Sequence, residues 1–320
     1  MILIIGSPQE EHSALVHDKI KQRGHSTVYL DTLLFPSRTK ISLFPDRSQP
    51  GFLQTAEGER IPLSDIRSVY WRNYMGTNIS PDLSDQFQRE MAYREIESCV
   101  GSMFRMMDHC LWMNSPEAID MHVYKTYQLQ LMHRRGIRIP QTLVTNDAEQ
   151  LRAFYERLHA KVIYKPVRGG AHTSMLQDQD FTPERLGELA QSPVQFQEMI
   201  EGVDIRVYLI GNELFAAEIR SKTLDFRDDP GAAIVPVELP ERVAADCIAL
   251  ARTLGLAMSG IDVRRTPEGE YVFLEGNPAP MFIHFEKQTG YPISDRLVDM
   301  LISPNEGSRS RKQMDSSWVG

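Results

Sequence analysis

Short apolar runs separated by turn residues fill the first part of the chain. Residues 2–5 form an apolar run that ends at a glycine, serine and proline, which predicts a buried strand followed by a turn. Residues 10–23 predict a helix with a glycine stop, and residues 25–31 predict a second strand. Between 42 and 69 the pattern predicts a hairpin insertion, before the strand 68–71. This opening predicts a small open α/β domain.

Apolar residues at roughly helical spacing mark the next part of the chain. Residues 83–111 predict one long helix or two, with their methionines filling a core. The run Asn114-Ser115-Pro116 interrupts this pattern, and we place a domain boundary there. Residues 116–136 predict a helix or helix pair that carries Lys125, and the strand 141–145 follows.

The segment 259–280 predicts a hairpin of two strands around the turn 266–269. The hairpin places Asp262 on one strand and Glu275 with Asn277 at the end of the other, so three hard oxygen ligands can converge. Mg²⁺ prefers such ligands and commonly takes one or two carboxylates from protein. A surface hairpin with solvated carboxylates is the alternative. It is weakened because both carboxylates interrupt apolar strands, where an unpaired charge would be costly to bury.

A strand with a lysine near its end precedes a glycine-containing loop. Lys165 closes the predicted strand 162–166, and Gly169 and Gly170 lie in the loop 167–171. Lysine offers a point charge to phosphate oxygens, and glycines let backbone N–H groups approach them closely. Many strands end in this way, so the pattern alone is weak evidence.

The segment 195–206, QFQEMIEGVDIR, predicts two strands joined by a glycine-containing turn. A purine edge needs a backbone donor and acceptor with a side-chain acceptor, and ribose hydroxyls need a carboxylate. Glu198, Met199 and Ile200 meet the first need, and Asp204 meets the second. A hairpin with exposed acids explains the same residues, and for this segment alone it is the favoured interpretation.

Composition narrows the function classes. The 320 residues are 42% hydrophobic, enough for a sizeable core in two or three lobes. The net charge of −8 and the scattered basic residues argue against nucleic-acid binding. The start lacks a signal peptide or membrane span, and the three cysteines form no CxxC pair, so we expect a cytoplasmic protein with no membrane partner. Zinc-site spacings, a phosphate loop, a dinucleotide fingerprint and a nucleophile elbow are missing.

The segment 274–294, LEGNPAPMFIHFEKQTGYPIS, resembles the carboxy-terminal metal-binding signature of ATP-grasp ligases, especially RimK-like enzymes that add amino acids to a carboxylate. Over residues 116–300 the chain also carries its motifs in the order expected for the ATP-grasp fold. That order is Lys125, Lys165 with its loop, QEMIEGVDIR, Arg220, Arg227, Asp262 and LEGNP. The resemblance implies an α/β and α+β architecture: an ATP-grasp fold of two lobes behind a leading open α/β domain.

The same resemblance implies the site residues. The ATP phosphates would be contacted by Lys125, Lys165, Gly169 and Gly170. Adenine would be held by Glu198 and by the backbone of Met199 and Ile200, and ribose would be bound by Asp204. Asp262, Glu275 and Asn277 would hold Mg²⁺, or Mn²⁺ in its place. Arg220 and Arg227 would be catalytic, because arginine's planar fork suits an acyl phosphate.

Two features of the sequence concern the substrate, one a departure from RimK-like enzymes and one in the leading domain. After Asp225-Phe226-Arg227 the chain reads DDPGAA, where those enzymes carry a Ser-Asn and a basic Gly-rich segment, so we expect added negative charge near the acceptor and no inherited glutamate-adding activity. Arg72 follows the strand 68–71 and either holds a substrate carboxylate or phosphate or packs over Trp71. The region up to WRN resembles the leading domain of microviridin-type peptide ligases, although Asn73 stands where they have a second Arg.

The resulting hypothesis is an ATP-dependent carboxylate-amine ligase, acting on an amino acid, peptide or protein through an acyl phosphate. Its partners would be ATP, a carboxylate substrate and an amine acceptor, with a homo-oligomer left open. A macrocyclase that makes ester or amide crosslinks in a ribosomally made peptide is the alternative, and an inactive ATP-binding regulatory protein is a rival of another class.

We divide the chain into a leading domain (1–114), a central lobe (115–200), a metal-bearing lobe (201–302) and a flexible tail (303–320).

Overall fold

The computed structural model describes residues 1–168, 172–223, 229 and 231–303. It contains two compact units. The first comprises Met1–Pro116, residues 281–286 and the chain from Pro292 onward, and the second comprises Glu117–Pro280 with Lys287–Tyr291. Gly169, Gly170, Arg227 and all of the predicted tail except Ser303 lie outside the described residues.

A parallel sheet of four strands organises the first unit, in the order β2-β1-β6-β7. Its strands are β1 (Ile2–Ile5), β2 (Thr27–Leu30), β6 (Ser68–Trp71) and β7 (Leu111–Trp112). All four residues of β1 are buried, as expected for the centre of a sheet covered on both faces. Helix α1 (Glu11–Gln22) starts where the Glu10 carboxylate accepts a hydrogen bond from the Ser13 N–H. The predicted strand–helix–strand opening is confirmed.

The predicted insertion is a three-stranded antiparallel sheet of β3 (Lys40–Ser42), β4 (Phe52–Gln54) and β5 (Arg60–Pro62). After it comes α2 (Gln86–Met106), one helix rather than two. Met103 is fully buried, but Met91 is 39% exposed. The expectation that the methionines fill a core is therefore wrong for Met91, since the first half of the helix packs few of its apolar residues.

The last described helix, α9 (Ile293–Ile302), packs within the first unit. Its Asp295 pairs with Lys19 of α1 and with Arg23, the residue after α1, each at 2.9 Å. The Ser68 hydroxyl donates to the Leu301 carbonyl at 2.6 Å. Residues predicted to close the metal-bearing lobe are thus grouped with the leading domain, because their partners lie far away in the sequence.

The second unit begins with helices α3 (Pro116–Met121) and α4 (Lys125–Arg134), followed by a four-stranded antiparallel sheet. The strands, in the order β10-β9-β11-β8, are β8 (Thr142–Thr145), β9 (Val162–Lys165), β10 (Ser174–Met175) and β11 (Val194–Glu198). Helices α5 (Ala148–Arg157) and α6 (Pro183–Leu189) supply Leu151, Phe154 and Leu189 to an apolar cluster with Val162 and Phe196.

A five-stranded antiparallel sheet completes this unit, in the order β14-β13-β12-β15-β16. Its strands are β12 (Val203–Ile210), β13 (Glu213–Arg220), β14 (Ala233–Pro236), β15 (Met258–Arg265) and β16 (Tyr271–Asn277). One face packs on α4 and α7 (Glu241–Thr253), where Ile205, Val263 and Phe273 join the core. Helix α8 (Ile283–Thr289) follows β16 in the chain. The predicted hairpin around residues 266–269 is confirmed as β15 and β16.

None of the helices in the described part of the chain is long and apolar enough to cross a membrane.

Gly202, in the turn between β11 and β12, offers a test of this architecture. Its φ is +137°, and a Cβ there would lie 2.1 Å from the Arg265 carbonyl oxygen. We expect Gly202→Ala to lower the free energy of unfolding by roughly 2–5 kcal/mol, because strain and overlap add. Gly187→Ala in α6 is the matched control: a Cβ there meets no described atom within 4 Å, so it should stabilise the protein by about 0.5–1 kcal/mol. Urea unfolding measures both, and equal stability of Gly202→Ala and wild type would contradict the turn geometry.

Candidate functional site

The pairing of β15 with β16 places three oxygen-bearing side chains on one face of the sheet. Asp262 lies opposite Glu275, and Gly260 lies opposite Asn277. A bulge between Asp262 and Val263 shifts the register, so Glu275 and Asn277 both keep the orientation of Asp262. The predicted ligands therefore share one surface at the end of the hairpin.

Glu275 is held by a lysine from a different element. The Nζ of Lys125, the first residue of α4, lies 2.6 Å from Glu275 Oε2. Burial disfavours the Glu275 carboxylate, but the charges of Lys125 and Lys165 outweigh burial and lower its pKa. Glu275 is therefore an anion beside both predicted phosphate-binding lysines.

Asp262 is held by an arginine that our sequence analysis missed. Arg206 lies opposite Asp262 in the pairing of β12 with β15, and its Nη1 contacts Asp262 Oδ1. Burial raises the pKa of the Asp262 carboxyl, and Arg206 opposes that rise. One signal was available: Arg206 stands two residues after Asp204 in a predicted strand, so both had to share a face. Its partner across the sheet could not be read from the sequence.

Lys165 ends β9 and acts on both carboxylates. Its positive charge opposes the rise that burial causes in the pKa of Asp262, and it contributes to the lowered pKa of Glu275. A lysine from the four-stranded sheet and a lysine from α4 thus lie near the same pair of acids. The structure brings together the lysines predicted for phosphate and the ligands predicted for metal.

The residues predicted for adenine and ribose are engaged in local contacts. Glu198 Oε2 accepts a hydrogen bond from the Gln141 N–H at 3.1 Å, and the Met199 N–H donates to the Lys161 carbonyl at 2.9 Å. The Met199 N–H is thus already used, so a donor to a base edge would have to come from another residue. Asp204 Oδ1 lies 3.2 Å from Arg264 Nη1.

Arg220 lies at the end of β13, 61% exposed, with its Nε 2.8 Å from Glu218 Oε1. The second oxygen of Glu218 accepts from Arg265 at 2.5 Å. Glu218 lies opposite Ile205, so the register puts Glu218 and Arg220 on the apolar-core face of the sheet rather than on the Asp262 face. The structure does not bring Arg220 onto the surface that carries the metal ligands.

Asp229 belongs to the segment predicted to add negative charge near the acceptor. Its carboxylate accepts hydrogen bonds from the N–H groups of Lys222 and Gly231, at 2.8 and 3.0 Å, and these bonds lower its pKa. It remains an anion, but it is directed into its own loop.

Arg72 binds a carboxylate of its own chain. Its Nε and Nη2 lie 3.1 and 3.0 Å from Glu10 Oε1. Burial raises the pKa of Glu10, but hydrogen bonds from His12 and the Ser13 N–H, together with the charge of Arg72, lower it well below its ordinary value. Glu10 thus holds the Arg72 guanidinium, and a role of Arg72 toward a substrate anion stays a prediction.

The donor set at the hairpin suits a hard divalent cation. In the described part of the chain, no three histidine, cysteine or acidic side chains gather as a metal-holding group. The candidate site instead combines Asp262 and Glu275 with the amide of Asn277, whose Oδ1 is oriented by accepting from the Ala279 N–H at 3.0 Å. Two carboxylates and one amide oxygen fit Mg²⁺, which takes its remaining ligands from water and phosphate.

Comparison with protein families covers both units. Residues 123–301, more than half of the chain, match the RimK-like ATP-grasp domain, and residues 1–120 match the MvdD pre-ATP grasp domain. The alpha-aminoadipate–LysW ligase LysX of Sulfurisphaera tokodaii is 26% identical over 186 residues, 54% of this chain and 65% of that protein. The chain thus spans just under two thirds of the length of this relative.

Solved structures resemble nearly the whole chain. The ATP-grasp ligase PsnB, complexed with minimal precursor, Mg and ADP, is 30% identical, with a TM-score of 0.79 over 94% of this chain and 97% of that one. The macrocyclase MdnC from Microcystis aeruginosa, bound with precursor peptide MdnA, is 26% identical, with a TM-score of 0.83 over 94% of this chain and 99% of that one.

The contact between Arg206 and Asp262 can be tested by a double-mutant cycle. Arg206→Met leaves a partly buried carboxylate without its partner, so we expect the two substitutions, Arg206→Met and Asp262→Asn, to couple by about 1–3 kcal/mol in urea unfolding. The exposed pair Arg296 and Asp299, 3.5 Å apart, is the control and should couple by less than about 1 kcal/mol. Additive effects at Arg206 and Asp262 would contradict the pairing.

Proposed function

Because the chain belongs to the RimK-like ATP-grasp family, we propose that it is an ATP-dependent ligase that activates a carboxylate and joins it to an amine. ATP-grasp ligases use ATP and a divalent metal. The observation that carries the proposal is the gathering of Lys125, Lys165 and Arg206 around Asp262 and Glu275. Cations beside hard oxygen ligands are what a metal-bound polyphosphate requires.

Each side chain of this cluster has a part in the proposal. Asp262, Glu275 and Asn277 would hold Mg²⁺, with Mn²⁺ as a substitute, and the bound ion would neutralise charge on the transferred phosphoryl group. Lys125, Lys165 and Arg206 would bind the phosphate oxygens. Their charge is in place before the reaction, so little reorganisation is needed when charge develops.

In the proposed reaction a substrate carboxylate oxygen attacks the γ-phosphorus of ATP, and ADP leaves. An amine nitrogen then attacks the acyl carbon, phosphate departs with the electron pair of the broken C–O bond, and the nitrogen loses a proton. The products are an amide, ADP and phosphate. The protein positions the reactants and neutralises charge, and no side chain becomes covalently attached.

The nucleotide's base and sugar would bind at the junction of β11 and β12. Glu198 supplies a side-chain acceptor for the adenine amino group, and the backbone near Met199 and Ile200 supplies the complementary edge. Asp204 would accept hydrogen bonds from ribose hydroxyls. Its spacing of two residues from Arg206 supports this, because sugar and phosphates would then contact one face of β12.

A second candidate is crosslinking within a ribosomally made peptide. The likeness to PsnB and MdnC extends over 94% of the chain, whereas the match to LysX covers 54%. Both of those structures are named as complexes with precursors, which favours a peptide substrate here. Attack by a side-chain hydroxyl in place of the amine would give an ester.

The proposal is tested by incubating the protein with ATP, Mg²⁺ and a panel of peptides and amino acids, with mass spectrometry and an ADP assay. We expect ADP release together with a product that has lost one water per bond formed. An internal crosslink lowers the mass of a single peptide, whereas intermolecular ligation sums two masses, and hydroxylamine cleaves esters selectively. Glu275→Gln is the inactive control. ATP binding without ADP release for any acceptor would instead support a regulatory ATP-binding protein.

The register places Arg220 on the face opposite the metal ligands, but it is the exposed last residue of β13, so the catalytic role that the motif order implies requires its guanidinium to extend past the end of the strand. In that role Arg220 would matter to turnover more than to ATP binding, because the charge it would meet develops only during the reaction. Glu218 binds its Nε, which orients the guanidinium. We expect Arg220→Ala to lower kcat by ~10²-fold or more with nucleotide affinity nearly unchanged, and Arg220→Lys to recover part of that loss. Steady-state kinetics and melting temperature are measured on one preparation. A lower melting temperature with kcat retained would show that Arg220 only supports its strand.

A further inference from the structure

Two side chains of α4, three residues apart, reach one dipeptide of β16. They are Lys125 and Gln128. Lys125 pairs with Glu275 at 2.6 Å, while Gln128 hydrogen-bonds to the backbone of Gly276. The spacing matches one side of a helical segment, so a single element supports the end of β16 that carries the proposed metal ligands.

Gln128 makes two hydrogen bonds with the backbone of Gly276. Its Nε2 donates to the Gly276 carbonyl, and its Oε1 accepts from the Gly276 N–H, each at 3.4 Å. The side chain is only 2% exposed. A buried amide that both donates to and accepts from one residue acts like the neighbouring strand of a sheet.

The position of β16 explains why such a partner is needed. β16 is the last strand of its sheet, so its outer backbone groups have no strand beside them. The Phe273 N–H, on the same strand, donates to the Arg138 carbonyl at 2.8 Å. Gln128 provides the corresponding partner where the strand reaches Gly276, and buried backbone groups without a partner would be costly.

Gly276 is also confined by Leu254, which follows α7, and by Ser259 of β15. A Cβ at this position would lie 3.2 Å from Leu254 Cδ1 and 3.4 Å from Ser259 Oγ. The backbone is therefore held at its edge by Gln128 and on the core face by apolar packing. Glu275 and Asn277, one residue to either side, then project to the opposite face.

We propose that Gln128 is a positioning residue of the cation site, which sets the direction of Glu275 and Asn277 through the peptide groups of Gly276. This rests on the proposed function, since it takes those residues as metal ligands. The ion pair with Lys125 constrains only the end of the Glu275 side chain, whereas the bonds from Gln128 constrain the backbone from which both ligands project. Small displacements of ligands are enough to weaken a metal site.

The test measures Mn²⁺ binding by electron paramagnetic resonance in the presence of a non-hydrolysable ATP analogue. Gln128→Met keeps the length of the side chain and removes both hydrogen bonds, and we expect it to raise the Kd for Mn²⁺ by about 10- to 100-fold, as for other residues that orient metal ligands. Met132→Ala, at a buried residue of the same helix, controls for general destabilisation and should leave the Kd at the wild-type value. In turnover, Gln128→Met should raise the Mg²⁺ concentration needed for half-maximal rate and retain kcat at saturating Mg²⁺.

Gln128→Glu provides a second variant, because its carboxylate still accepts from the Gly276 N–H but cannot donate to the carbonyl. It should fall between wild type and Gln128→Met, and it carries the test if Gln128→Met does not fold. Glu275→Gln separates the two proposals. If Glu275→Gln weakens Mn²⁺ binding and the Gln128 variants do not, the positioning role is wrong and the metal assignment survives. If Glu275→Gln binds Mn²⁺ like wild type, the metal assignment fails, and the positioning role fails with it.

Discussion

Two carboxylates directly opposite each other on neighbouring strands are the constraint on which the rest of the candidate site depends. Asp262 and Glu275 face each other across β15 and β16, and like charges in that position destabilise a sheet. The fold offsets this repulsion with cations from separate elements: Arg206 from β12, Lys125 from α4 and Lys165 from β9. The acids thus determine where positive charge must lie, and that charge is what phosphate binding needs.

The alternation of a β-strand lets one sheet serve as core and site at once. Ile205 and Val263 pair on the face that packs against α7, while their neighbours Arg206 and Asp262 pair on the other face. A shift of one residue would bury the charged set and expose the apolar set. The register that builds the hydrophobic core therefore also assembles the ligands, and the bulge after Asp262 keeps Glu275 within that set.

In the first unit, away from the candidate site, charged groups also pair with partners from other segments. Glu10 begins α1, pairs with Arg72 and contacts Nδ1 of the buried His12 at 2.9 Å. The other ring nitrogen of His12 accepts from the Phe282 N–H at 3.0 Å. A row of polar groups thus ties β6, α1 and residues 281–286 together within this unit. It explains why Arg72, which follows β6 beside aromatic residues, has its guanidinium paired with Glu10.

The sequence by itself determined the elements and the ordered chemistry. Apolar alternation and turn residues were enough to predict the opening strands, the insertion and the hairpin with Asp262, Glu275 and Asn277, because these signals act between residues a few positions apart. Only the tertiary structure decided the partners: Arg206 with Asp262, Glu10 with Arg72, Glu218 with Arg265, and α9 within the first unit. These depend on strand register and on contacts between distant segments, which a linear pattern of residue types does not encode.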